Sequence, residues 1–295
     1  MRVVVAGSSG FLGTALRDRL ARDGHEVQRL VRGTASAASE SSWDPYTGTV
    51  DDDVIGAADV VINLGGVPIA HWPWTEDYKR QIRDSREATT GTLAGAVART
   101  GGRAALINAS GINAYGHPGD AVRDETSPRG DGFLAEVVRS WEDATSPAMK
   151  AGARVVMLRS GVVLHGSGGA LALMKKPFLL GVGGRVGSGK QWFSWISLAD
   201  WVSAVVFLST SDVSGPVNLV APQPVTNAEF TKAMGKVLRR PTRFPVPGLP
   251  MRLVGGEVAS ESLDSLRVVP AVLLAAGFNF EHPDIESALR YAFGR

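Results

Sequence analysis

The first fourteen residues constrain this chain more than any other stretch. A valine-rich run, Arg2–Ala6, breaks directly into three glycines spaced Gly-x-x-Gly-x-x-Gly at Gly7, Gly10 and Gly13. A short, β-branched run without polar interruption is what a strand buried on both faces of a parallel sheet requires. Leucines follow at 12, 16 and 20, one face of a helix, and Gly24 stands where a helix C-terminal glycine belongs. Strand, glycine turn and helix in this order give the glycines distinct physical roles. One allows the tight turn, one admits a pyrophosphate close to the backbone, and one lets helix and strand touch. Free amides and the helix dipole attract the anion. Gly7, Ser9, Gly10, Phe11, Leu12 and Gly13 are therefore candidate dinucleotide-binding positions.

The same rhythm continues. Strands are expected at His25–Arg32, Asp59–Gly66, Ala104–Ala109 and Arg154–Val163, and helices at Glu76–Arg99 and Phe133–Ala144. Alternating strands and helices specify an α/β, Rossmann-like, doubly wound parallel sheet. Gly33 to Ser42 reads as a polar loop, and Gly181 to Lys190 as a glycine-rich loop near the ligand cleft. A helix over Asp200–Ser209, a strand over Gly215–Ala221 and a helix Asn227–Leu238 capped by Thr226 close this part. Four prolines between Pro241 and Pro250 then suggest a linker. The expected division is residues 1–240, with substrate-region loops around 165–200, and a small, mostly helical C-terminal region at 241–295.

Composition removes several function classes. The 31 basic and 29 acidic side chains nearly balance, with no long run of one sign, so nucleic acid is not implied. The absence of cysteine excludes disulfides, thiolate metal sites and a cysteine nucleophile. No apolar stretch approaches the ~18 residues of a membrane span, and the first strand begins at once, leaving no room for a signal peptide. A cytoplasmic protein without membrane contact is expected. Its five histidines lack the i, i+4 spacing of a helical metal site, so no metal is indicated. The expected partner is a small-molecule substrate, and homodimerisation is left open.

Arg32 ends the second strand, where a carboxylate would favour NAD and an arginine suits the 2′-phosphate of NADP. Substrate in such folds lies beyond the carboxyl ends of the strands. Ser110 follows a strand directly, and its hydroxyl would polarise a substrate oxygen or satisfy local backbone groups. Proton transfer is commonly supplied by a tyrosine with a lysine one helical turn on. Here Tyr46, Tyr78, Tyr115 and Tyr291 are followed four residues later by Val50, Ile82, Gly119 and Arg295, so no such pair exists. Tyr115 and Glu136 are the acid/base candidates, each with a wall or surface role as its alternative. Lys175, Lys176, Arg185 and Lys190 crowd the glycine loop. Trp72 and Trp74 are expected to line the cleft.

Taken together, Gly7-Ser-Ser-Gly-Phe-Leu-Gly13, Trp43-Asp-Pro45, Val61-Ile-Asn-Leu-Gly-Gly66, Ser85-Arg86, Arg159-Ser-Gly-Val-Val163, Gly187-Ser-Gly189, Trp195-Ile196 and Ala276-Gly-Phe-Asn-Phe280 resemble an atypical extended short-chain dehydrogenase/reductase. This is the subgroup labelled NAD-dependent epimerase/dehydratase or sugar-nucleotide epimerase family, whose C-terminal portion is a domain of unknown function. The resemblance runs essentially end to end. It implies NADP(H), with Arg32, Leu64, Gly65, Arg86 and Val163 on cofactor-contacting positions and Gln81 and Arg86 on the helix beside the nicotinamide half. It also implies an oxidoreductase or epimerase-like activity on a small carbonyl, hydroxyl or sugar-nucleotide substrate. This sequence departs from the pattern at Gly132 and Glu136, where the wider family carries Tyr-x-x-x-Lys, and at Ser197 and Ala199, where the subgroup carries His and Asp. A non-catalytic NADP-binding sensor or scaffold is the alternative these departures raise.

Overall fold

The structure is a computed structural model and describes residues 1–69, 71, 73–242, 245–246 and 265–295. The elements run β1 (Arg2–Ala6), α1 (Phe11–Arg22), β2 (Glu26–Val31), β3 (Glu40–Ser42), α2 (Asp52–Gly56), β4 (Val60–Asn63), α3 (Glu76–Arg99) and β5 (Ala105–Gly111). They continue with β6 (Val122–Arg123), α4 (Phe133–Asp143), α5 (Ser146–Lys150), β7 (Val155–Ser160), β8 (Val162–Leu164), α6 (Gly169–Leu179), β9 (Trp192–Phe193) and β10 (Trp195–Ser197). After these come α7 (Leu198–Thr210), β11 (Gly215–Leu219), β12 (Val225–Thr226), α8 (Asn227–Leu238), β13 (Arg267–Val268) and short helices at Ala271–Ala275 and Ile285–Phe293.

Seven strands form the main sheet in the order β11-β7-β5-β4-β1-β2-β3, every pairing parallel. β1 has β2 on one side and β4 on the other, so strand order reverses at β1 and a crevice opens beyond its carboxyl end. Alternation along β1 sorts its side chains between two cores. Val3 and Val5 meet α1 and α7 on one face, through Leu16, Leu20, Trp201 and Val205. Val4 and Ala6 meet α3 on the other, through Leu93, Ala94 and Val97. Each such fully buried aliphatic side chain contributes about 1.5–3 kcal/mol.

A third core joins Leu164 of β8, Leu171 and Phe178 of α6, Trp195 of β10, Phe230 and Met234 of α8, and Leu289 of the helix Ile285–Phe293. It stands outside the main sheet. The expected strand at 154–163 divides at Gly161, where a Cβ would lie 2.8 Å from the Ser194 carbonyl oxygen. That close approach ends β7 and turns β8 away to pair with β10. β3 lies inside the stretch expected as loop, because backbone pairing with β2 at the sheet edge makes a strand of Glu40–Ser42 that its side chains do not announce.

Candidate cofactor and active site

The glycine turn is shaped by its own neighbours. Gly7 has φ +78°, and a Cβ there would lie 2.8 Å from the Leu64 carbonyl. A Cβ on Gly13 would lie 2.1 Å from the Gly7 oxygen, so α1 sits directly on the turn. At Gly10 the nearest atom to a Cβ is 3.5 Å away, an ordinary contact, so protein packing leaves that side free. Gly10 is also the N-cap of α1; it supplies no side-chain cap, and the first turn carries no acid. The amides of Phe11, Leu12 and Gly13 therefore lack intrahelical acceptors at the positive end of the helix. This cradle fits a pyrophosphate.

Ser9 and Gly10 are exposed, and Ser8 is buried, accepting a hydrogen bond from Arg29 Nε at 3.2 Å. Arg32 stands exposed just past β2. The Phe11 ring lies where a Cβ on Gly168 would come within 2.4 Å, so the loop entering α6 closes against the start of α1.

Beyond β4, the Gly65 amide donates to Asn63 Oδ1 at 3.0 Å. Asn63 Nδ2 in turn donates to Asn108 Oδ1 at 2.8 Å and to Thr90 Oγ1 at 3.0 Å. Leu64 and Gly65 are thus fixed from below. Arg86 lies beside them and is buried. Its Nη1 donates to the Ile82 carbonyl at 2.9 Å, and its guanidinium lies 4.9 Å from the centre of the Trp141 ring. Its Nε has no partner, and burial lowers its pKa to about 10. A buried cation with an orphaned donor and, among the described residues, no carboxylate paired with it fits a site for an anionic or polar ligand. Gln81 is exposed on the same helix, and Val163 is half-buried in β8.

The structure brings Ser110 and Tyr115 into one buried polar column and leaves Glu136 outside it. Ser110 Oγ donates to Glu142 Oε1 at 2.7 Å. Arg159 donates to both Glu142 oxygens at 2.8 Å, and its Nη1 donates to the Tyr115 hydroxyl at 3.1 Å. The Tyr115 hydroxyl donates to Asn218 Oδ1 at 2.7 Å. Tyr115 is 2% exposed, and burial, opposed by Arg159, raises its pKa above the ordinary 10. In this conformation both hydroxyls point at protein partners. Glu136 is exposed on α4 and pairs with Arg83 at 3.6 Å.

Glu142, Arg159 and Asn218 were missed by sequence reasoning. One signal was available for Arg159, a charged side chain closing an apolar strand, since a buried charge needs a partner. At Ser197, where the resemblance expects histidine, the hydroxyl lies 3.2 Å from Nδ1 of His282. Trp74 stacks edge-on against Phe133 at 5.5 Å, while Trp72 lies outside the described residues. Of the cations at the glycine loop, Lys175 donates to the Gly166 carbonyl and Arg185 to that of Ser188, so both are tied to local backbone. Among the described residues no three or more His, Asp or Glu side chains gather as a metal would need, and no helix is long and apolar enough to cross a membrane.

Residues 3–138 match the NAD dependent epimerase/dehydratase family, and residues 246–292 match a domain of unknown function. An epimerase family protein of Mycobacterium bovis is 46% identical over 99% of this chain and 98% of its own length. The crystal structure of the human epimerase family protein SDR39U1 with NADPH superimposes with a TM-score of 0.88 at 33% identity, covering all of both chains. The Thermus thermophilus UDP-glucose 4-epimerase complex with NAD shares the fold, with a TM-score of 0.74 at 19% identity over 100% of this chain and 99% of that one.

Proposed function

The chain belongs to the NAD dependent epimerase/dehydratase family, and from that premise we propose that it binds NADP(H) in the cytoplasm and acts as an oxidoreductase or epimerase-like enzyme. Its substrate is a small carbonyl or hydroxyl compound or a sugar nucleotide. The observation that carries this reading is the open side of Gly10 beneath the uncapped start of α1. The amides of Phe11, Leu12 and Gly13, with Ser9 and Gly10, hold the pyrophosphate. Arg32 meets the 2′-phosphate, while Leu64, Gly65, Gln81, Arg86 and Val163 border the remainder. We assign residues 1–240 to the cofactor unit and 241–295 to a small C-terminal domain. Bound nicotinamide supplies or accepts a hydride.

For the proton, Ser110 orients substrate and Tyr115 is the first acid/base candidate, with the Arg159 cation beside its hydroxyl; Glu136 is the second. A specific observation favours a second reading, a non-catalytic NADP sensor or scaffold: both hydroxyls are engaged in the buried column. Fluorescence titration with NADPH and NADH tests the cofactor. NADPH should bind more tightly, and Arg32→Asp should weaken NADPH at least tenfold while leaving NADH nearly unchanged; equal affinities before and after would refute the assignment. A carbonyl and sugar-nucleotide panel then separates the readings. Hydride transfer that is lost in Tyr115→Phe or Glu136→Gln supports the enzyme, and no turnover in any arm supports the sensor.

A further inference from the structure

We propose that the cavity at the carboxyl ends of α8 and of the helix Ile285–Phe293 is a second anion site, built for a small ligand that carries two or more phosphate groups. The cavity is half open to solvent, with a volume of about 700 Å³, and Lys236, Arg239, Arg240, Arg290 and Arg295 are among the residues that line it. That volume suits a small molecule rather than a single inorganic ion.

Arg239 carries the argument. Among the described residues it is the one non-glycine with positive φ, at φ +55° and ψ +46°. It stands where α8 ends and the chain reverses, with the Arg240 amide donating to the Gly235 carbonyl at 2.9 Å. A helix that ends this way favours glycine, because a Cβ in the left-handed region is strained. An arginine occupies the position instead. Strain retained at one point, with a cationic side chain as its result, points to a function for that side chain.

The ordinary explanations cover its neighbours but not Arg239. Helix dipoles attract cations to C-terminal ends. Glu286 takes Lys236 Nζ and Arg290 Nη2 at 2.7 Å each, and Arg295 donates to the Val237 carbonyl at 2.8 Å. Among the described residues Arg239 and Arg240 form no ion pair, and Glu286 is the one carboxylate paired with the five cations. Two helix ends, each equivalent to about half a negative charge, leave most of the excess in place. Guanidinium forks match phosphate oxygens two at a time. Among the described residues, none of the glycine turn at α1 lines the cavity. It lies at the far end of α8 from the loop at 181–190, which the first turn of α8 holds through Asn227 Oδ1 accepting from the Val186 amide at 2.8 Å.

Titration calorimetry of the full chain with inorganic tripolyphosphate, with and without saturating NADPH, tests the site. Binding should persist in the presence of NADPH, and it should weaken at least tenfold in Arg239→Gly and further in Arg239→Gly/Arg240→Ser. The melting temperature of Arg239→Gly should hold or rise, since glycine suits this backbone. An absence of binding heat, displacement by NADPH, affinity that survives the double substitution, or a lowered melting temperature in Arg239→Gly would each overturn the proposal.

Discussion

Glu142 and Arg159 form a two-point ion pair, 2.8 Å at each contact, between side chains that are 0% and 4% exposed. α4 supplies the carboxylate and β7 the guanidinium, and Ser110 and Tyr115 attach at either end. Removing one partner strands the other as an uncompensated buried charge, which costs about 3–5 kcal/mol. Glu142→Ala is therefore expected to lower the urea unfolding free energy by that amount. A loss under about 1 kcal/mol would mean that Arg159 finds another acceptor or water.

The same pair sets a pH dependence. Burial acts to raise the Glu142 carboxyl, but hydrogen bonds and charge from Arg159, helped by Ser110 and Arg129, outweigh it and hold the carboxyl below its ordinary 4.5. A carboxyl lowered in the fold contributes stability that is complete above its unfolded value and is lost as pH falls through the folded value. The urea midpoint should thus fall on acidification below about 4.5, and the double variant Glu142→Leu/Arg159→Met should lose less over the same range. Parallel acid profiles for the two proteins would remove Glu142 as the source.

Two glycines of the turn separate folding from binding. A Cβ on Gly13 would lie 2.1 Å from the Gly7 oxygen, which no rotamer relieves, so Gly13→Ala should fold poorly. A Cβ on Gly10 meets nothing closer than 3.5 Å, so Gly10→Ala should stay folded and lose about 1 kcal/mol, the cost of alanine at an N-cap. The added methyl enters the space assigned to pyrophosphate, so NADPH affinity in Gly10→Ala should drop at least tenfold by fluorescence titration. Unchanged affinity would move the cofactor away from this turn.

What was legible in the sequence was local. The β1–turn–α1 unit, α3 over Glu76–Arg99 and the Thr226-capped α8 depend on residues within a few turns of one another, and their bounds match. The main sheet followed from the alternation of strands and helices. The polar column did not, because Ser110, Glu142, Arg159 and Asn218 come from four elements and no spacing links them. Glu136 drew notice on α4, yet it lies six residues before Glu142, a rotation of roughly 240° at 3.6 residues per turn, and so faces solvent while Glu142 faces the core. α6 was also missed, since Pro177 and flanking glycines hide a helix that the third core stabilises.

Arg86 gives the sharpest test of a residue retained for a ligand. Burial lowers its pKa to about 10, slightly opposed by Tyr78, from an ordinary 12.5. A base lowered in the fold costs stability at every pH below the folded value, and the cost recedes as pH rises through about 10. At pH 7 the charge is therefore a burden, offset in part by the Ile82 carbonyl and the Trp141 ring. Arg86→Met keeps length and apolar contact while removing a buried charge whose desolvation burdens the fold. It should raise the unfolding free energy by about 1 kcal/mol and weaken NADPH at least tenfold. Opposite signs in the two measurements would mark Arg86 as a binding residue held at the expense of the fold, and a variant destabilised with its NADPH affinity intact would mark it as structural.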